Sequence, residues 1–142
     1  MKKCLLISLV ILMLCGTYVA QGQSIDMCTG DGISKKKIGY SEPAPGKIYL
    51  LIPVTVENQG YEEFPLSPYQ FKLTVDKVKY DSAALSYTMS QAGLVPLESV
   101  ELQDGGKISG YISFEVPAST TDYELSYDTW AWEDYDVKLR KC

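Results

Sequence analysis

Histidine is absent from this 142-residue chain. That removes Ser-His-Asp and Cys-His nucleophilic catalysis, histidine-built copper and zinc sites, and the side chain that titrates nearest neutrality. Cysteine is sparse, at positions 4, 15, 28 and 142, and no two are spaced as a zinc or thiol-redox pair. Basic charge is also short, with 13 Lys and Arg against 18 Asp and Glu. The only basic run, Lys35-Lys36-Lys37, reads as a solvated face. Nucleic-acid binding needs a basic surface that releases counterions from phosphates, so no nucleic acid is expected as a partner. No long amphipathic helix is legible, and no repeat or low-complexity segment.

What is present begins with an N-terminal order of basic, apolar and small residues. Lys2 and Lys3 precede an uncharged apolar run from Leu5 to about Leu14, followed by "CGTYVAQGQS". This is the pattern of a secretory signal peptide, and Ala20 and Gly22 supply the small residues for cleavage before Gln23. The expected organisation is therefore a signal peptide over 1–22 and one domain over 23–142. Two alternatives stay open: retention of the segment as a membrane anchor, and lipidation at Cys15. A membrane contact is expected only in those cases. Loss of Lys2 and Lys3 would leave 11 basic and 18 acidic side chains, a net charge of −7.

After such cleavage only Cys28 and Cys142 remain, and two cysteines in an oxidising compartment predict one disulfide. It would close a loop of about 115 residues and contribute about 4 to 5 kcal/mol on the chain-entropy account.

The remainder alternates with period two. Following a polar lead-in to about Gly46, "KIYLLIPVTVENQG" places Leu50, Ile52, Val54 and Val56 on one face and Tyr49, Leu51, Pro53 and Thr55 on the other. Pro53 cannot donate to a ladder and so predicts a sheet edge or a bulge. "YQFKLTVDKVKYD" reads as two strands about a tight turn at Asp76-Lys77. Residues 82–96 read as a loop with a helical turn. "DGGKISGYISFEVP" reads as a strand entered by a glycine turn, with Ile108, Ile112, Phe114 and Val116 at alternate or near-alternate positions. "YELSYD" aligns Tyr123, Leu125 and Tyr127, and "YDVKLR" aligns Tyr135, Val137 and Leu139. About seven strands with turn signals every 10 to 15 residues predict an all-β, antiparallel sandwich or barrel.

Taken together, "YLLIPVTVENQG", "YQFKLTVDKVKY" and "GGKISGYISFEVPASTTDYELSYD" resemble an immunoglobulin-like domain-of-unknown-function family of secreted proteins and lipoproteins. Its marks fall on Asn58, Phe71, Gly106, Gly110, Phe114, Val116 and Pro117, within residues 47–128. The resemblance implies an immunoglobulin-like β-sandwich related in shape to a small secreted mycobacterial antigen, and a label sometimes attached to the family mentions a telomeric repeat-binding factor. It implies no catalytic residues, and it assigns Gly106 and Gly110 to a tight turn and a close strand approach.

The chemistry-bearing candidates are few, and nothing calls for a cofactor. Glu62-Glu63 and Glu133-Asp134 with Asp136 are the densest carboxylates, and paired carboxyls can cleave glycosides. Neighbours in a strand point to opposite faces, so their adjacency argues little for a hydrolase. "DTWAWEDYD" carries oxygen ligands suited to calcium, but its spacing is not that of an EF-hand, and an acidic solvated loop is the expectation.

The same segment holds Trp130 and Trp132 at alternate positions. A sandwich core wants large aromatics, so a core position is expected for them ahead of a surface one. If they are exposed, the surface around Trp130, Trp132 and Tyr135 is the candidate contact site for a protein or cell-envelope partner. The expected role is a secreted or cell-surface, non-catalytic interaction or structural domain. The alternatives are a carboxylate hydrolase acting on glycans and a calcium-stabilised module.

Overall fold

The computed structural model describes residues 22–142. The expected signal segment, with Lys2, Lys3 and Cys15, lies outside the described residues apart from Gly22. Among the described residues ten strands form two packed layers. The first layer contains β1 (Ser24–Thr29), β2 (Ile33–Lys35), β3 (Lys47–Gln59), β8 (Lys107–Pro117) and β10 (Val137–Lys141). Its order is β10-β1-β3-β8, with β2 taking the place of β1 beside the first half of β3. The second layer is made of the pair β4 (Glu63–Leu66) and β7 (Val100–Gln103), and of β6 (Val78–Asp81), β5 (Phe71–Val75) and β9 (Glu124–Tyr127). The fold is an all-β sandwich.

Strand alternation builds the core directly. Leu50, Ile52, Val54 and Val56 of β3 and Ile112, Phe114 and Val116 of β8 face Phe64, Leu66, Phe71, Leu73 and Leu102 of the second layer, all buried. Each such side chain contributes about 1.5 to 3 kcal/mol by leaving water. The other face of β3 is buried as well at Tyr49 and Leu51. Met89 of the single described α-helix, α1 (Ser86–Gln91), packs on them together with Ile38. The helical turn expected in 82–96 is thus real, and it gives the molecule a second, smaller core.

The lead-in to Gly46 is not loop. It contains β1 and β2, and Ile25 and Met27 of β1, beside β3 in the first layer, are fully buried in the main core. The apolar signal there is only two alternating residues long, too short to stand out in polar surroundings.

Pro53 sits where β1 stops and β2 has not yet begun. Its carbonyl accepts the Gly30 N–H (3.0 Å), but with no amide proton it cannot return the second bond of that pair, so the β1–β3 ladder ends there. Gly30 is required there, because a Cβ would lie 2.8 Å from the proline ring.

Three connections carry the geometry onward. Asp76 and Lys77 have φ of 47° and 67°, the two-residue turn whose twist suits the β5–β6 hairpin. The Asp104-Gly105-Gly106 turn passes the chain from β7 in one layer to β8 in the other, and it docks on Asn58. Asn58 N–H donates to the Gly106 carbonyl (3.0 Å), and the Asn58 carbonyl accepts Gly105 N–H (2.8 Å). The buried Asn58 amide donates to the carbonyls of Tyr61 and Leu102 (both 2.9 Å) and accepts Tyr61 N–H (3.1 Å), so every polar atom is satisfied. That is the physical content of a strand ending in Asn before a turn. Finally, loop 128–136 returns the chain from β9 to the first layer. It arrives beside β1 in the parallel sense, a departure from the all-antiparallel expectation.

Cys28 on β1 and Cys142 after β10 are disulfide-bonded across 114 residues of sequence. The bond fixes the C-terminal end of this parallel edge strand, next to a backbone bond from Cys142 N–H to the Thr29 carbonyl (3.0 Å).

Candidate aromatic contact site

Loop 128–136 carries both tryptophans, and neither is in the core. Trp130 is 53% exposed and Trp132 is 78% exposed, which overturns the expectation of core positions. The indoles lie face to face with centroids 5.3 Å apart and planes 2° from parallel. The reason is local. Residues 130–133 form a tight turn closed by Glu133 N–H donating to the Trp130 carbonyl (2.9 Å), and Trp130 N–H donates to the Glu133 carboxylate (3.0 Å). The turn places side chains two residues apart on the same outer side, and the core already has its aromatics in Phe64, Phe71 and Phe114.

Tyr135 does not join the tryptophans. Its ring packs edge-on against Phe64 (4.9 Å) and Tyr61 (5.1 Å), so it anchors the far end of the loop to the core. Partial burial pushes its phenol above the ordinary value, and the carboxylates of Glu133 and Glu63 add to the shift. Asp136 N–H donates to the Tyr61 hydroxyl (2.8 Å), a second tie at the same end.

The near end is fixed by a network that the sequence did not announce. Gln70, buried after the short 3₁₀ turn Pro68–Gln70, accepts the Tyr127 hydroxyl (3.0 Å) and donates to the Asp128 carbonyl (3.0 Å) and to the Glu133 carboxylate (3.4 Å). Its backbone carbonyl accepts Asp128 N–H (2.8 Å). Tyr127 packs on Phe71 (4.8 Å) and accepts Ser67 N–H (3.4 Å). Its phenol is pushed up to about 12, chiefly by burial; the Ser67 N–H opposes the shift and the Glu133 charge assists it. Gln70 carries no sequence signal of this role, since an isolated glutamine beside Pro68 reads as surface.

The carboxylates of the loop are mostly committed. Asp128 pairs with Lys79 (3.0 Å), Asp136 lies 3.9 Å from Lys138, and Glu133 serves the turn. Among the described residues no three acidic or cysteine side chains converge to hold a metal ion. Glu62 and Glu63 lie elsewhere, around an open polar hollow with Asp104. The loop exposes two stacked indoles edged by acidic side chains.

The sequence pattern of a family described as "Domain of unknown function (DUF4352)" matches residues 26–137. No curated protein matches the chain. Among solved structures, a "putative lipoprotein (ycdA)" from Bacillus subtilis subsp. subtilis str. 168 shares the fold with a TM-score of 0.62 and 16% identity. The match covers 82% of this chain and 36% of that one, so this chain spans little more than a third of the length of that protein.

Proposed function

The chain belongs to the DUF4352 family, and from that premise we propose that it is a non-catalytic contact module of the cell envelope or extracellular space, binding a protein or envelope partner through the Trp130/Trp132 turn. One observation carries the reading: two large, amphipathic side chains stand exposed and stacked on a turn whose backbone is hydrogen-bonded at both ends. Two stacked, exposed tryptophans make a contiguous apolar patch, and tryptophan is enriched among binding hot spots. Because the turn is already ordered, a partner loses little entropy in docking on it. Asp128, Asp134 and Asp136 form a polar rim suited to such a hot spot.

The compartment is supported by the Cys28–Cys142 disulfide, which belongs to oxidising surroundings, and by the lipoprotein description of the structural neighbour. The lack of histidine supports the non-catalytic part of the reading. The test is co-sedimentation of the purified protein with membrane and cell-wall fractions, comparing wild type with Trp130→Ala and Trp132→Ala. Loss of association by about tenfold or more in variants with an unchanged melting temperature supports the proposal. Equal association by all three proteins refutes it.

A further inference from the structure

A second surface, remote in sequence from the tryptophans, has the chemistry of a ligand site. A cleft of about 380 Å³ opens between the Pro68–Gln70 turn, α1 and the segment leading into β7. That volume suits one or two small rings. Its floor is apolar, from Met89, Leu97 and Ile112, all buried. Tyr69 and Tyr87 line it while 61% and 76% exposed. The Tyr87 hydroxyl is held by the Gln91 amide (3.0 Å). Ser86, Ser99 and the exposed Glu98 are among its polar lining residues, and the lining includes no Lys or Arg. The nearby Lys72 ammonium is bound to the Tyr69 carbonyl (3.1 Å) and to Asp81 (2.7 Å).

Both walls are fixed. On one side Ala83 N–H donates to the Ser113 carbonyl (2.8 Å) and the Ser113 hydroxyl returns a bond to the Ala83 carbonyl (3.0 Å). On the other, Leu97 N–H donates to the Tyr111 carbonyl (2.9 Å), an approach possible only because residue 110 is glycine. The cleft is therefore preformed.

We propose that this cleft binds a neutral saccharide. Aromatic faces and an apolar floor match the C–H faces of a pyranose, while serine hydroxyls can donate to and accept from its hydroxyl groups and the carboxylate can accept from them. The absence of a cationic side chain in the lining disfavours phosphate and other anions. The cleft shares the Pro68–Gln70 turn with the support of the tryptophan loop, but no residue of that loop lines it.

The experiment is calorimetric titration of the purified protein with soluble neutral oligosaccharides (glucose, mannose and N-acetylglucosamine oligomers), an acidic oligosaccharide and a tyrosine-free basic peptide. Saturable binding of at least one neutral oligosaccharide is expected, weakened tenfold or more by Tyr87→Ala and Tyr69→Ala and unchanged by Trp132→Ala. Both tyrosines are exposed, so unaltered circular dichroism will accompany the loss. No saturable heat from any neutral oligosaccharide up to about 10 mM, a range that already admits affinities of only a few kcal/mol, overturns the proposal. Binding that survives both tyrosine substitutions, binding that Trp132→Ala abolishes, or a preference for the peptide overturns it equally.

Discussion

Glu133 and Trp130 hold each other twice: the Glu133 carboxylate accepts the Trp130 N–H at 3.0 Å while the Trp130 carbonyl accepts the Glu133 N–H at 2.9 Å. This pair converts a nine-residue loop into a fixed platform. Glu133→Ala should keep the sandwich but remove the carboxylate bonds to Trp130 and Gln70. The expected cost is about 1 to 2 kcal/mol of stability, measured by urea unfolding, together with weaker association in the co-sedimentation assay of the proposed function. A variant as stable as wild type would show that the turn does not depend on the carboxylate.

The disulfide should matter through chain entropy. Replacing Cys28 and Cys142 together by Ala is expected to lower unfolding free energy by about 4 to 5 kcal/mol, since the closed loop spans nearly the whole domain. Hydrogen exchange should report the loosening first in β10, which pairs only with β1 and is otherwise an edge. Amides that exchange only through global unfolding should lose the same protection in both layers, and unchanged protection there would contradict the entropic account.

Gly110 tests the close approach under the cleft. A Cβ there would lie 2.5 Å from the Leu97 nitrogen and 2.7 Å from the Pro96 carbonyl carbon, both backbone atoms that cannot swing aside. Gly110→Ala should cost about 1 to 3 kcal/mol by forcing segments apart, readable as a lower denaturant midpoint.

This glycine shows how far sequence reasoning reaches. Ile52, Val54, Phe114 and Val116 were legible as core because strict alternation allows one buried face, and the Cys28–Cys142 bond followed from counting. Tyr49 and Leu51 were not legible as core, because the residues that cover them, Met89 and Ile38, are distant in sequence and weakly patterned. β1 escaped because it offers only Ile25 and Met27 as a signal. β4 escaped because Phe64 and Leu66 stand on either side of Pro65. The general demand for large aromatics favours the core over the surface for Trp130 and Trp132. The competing fact, a turn that turns both side chains outward, depends on Glu133 and Gln70, whose partners only the fold brings near.

The pH dependence of stability should carry the mark of Tyr127. Its folded value of about 12 lies above the ordinary phenol value of 10.0. Below pH 10 both folded and unfolded chains keep the proton, and the stabilisation from the neutral buried phenol is fully present. Between about pH 10 and 12 the unfolded chain releases the proton and the folded one retains it, so stability falls as pH rises. Urea midpoints measured across that window should decline less steeply in Tyr127→Phe, which has no proton to lose. An equal decline in both proteins would place the titration elsewhere.

The two tryptophans are the only ones in the chain, so intrinsic tryptophan emission reports on the proposed contact turn alone. Emission should be that of solvated indole in the free protein. Titration with the cell-envelope fraction that the protein sediments with should shift the emission to shorter wavelength and protect it from acrylamide quenching, in proportion to the amount bound. Saturable binding with no change in emission or quenching would contradict the account, because the partner would then be held by another surface.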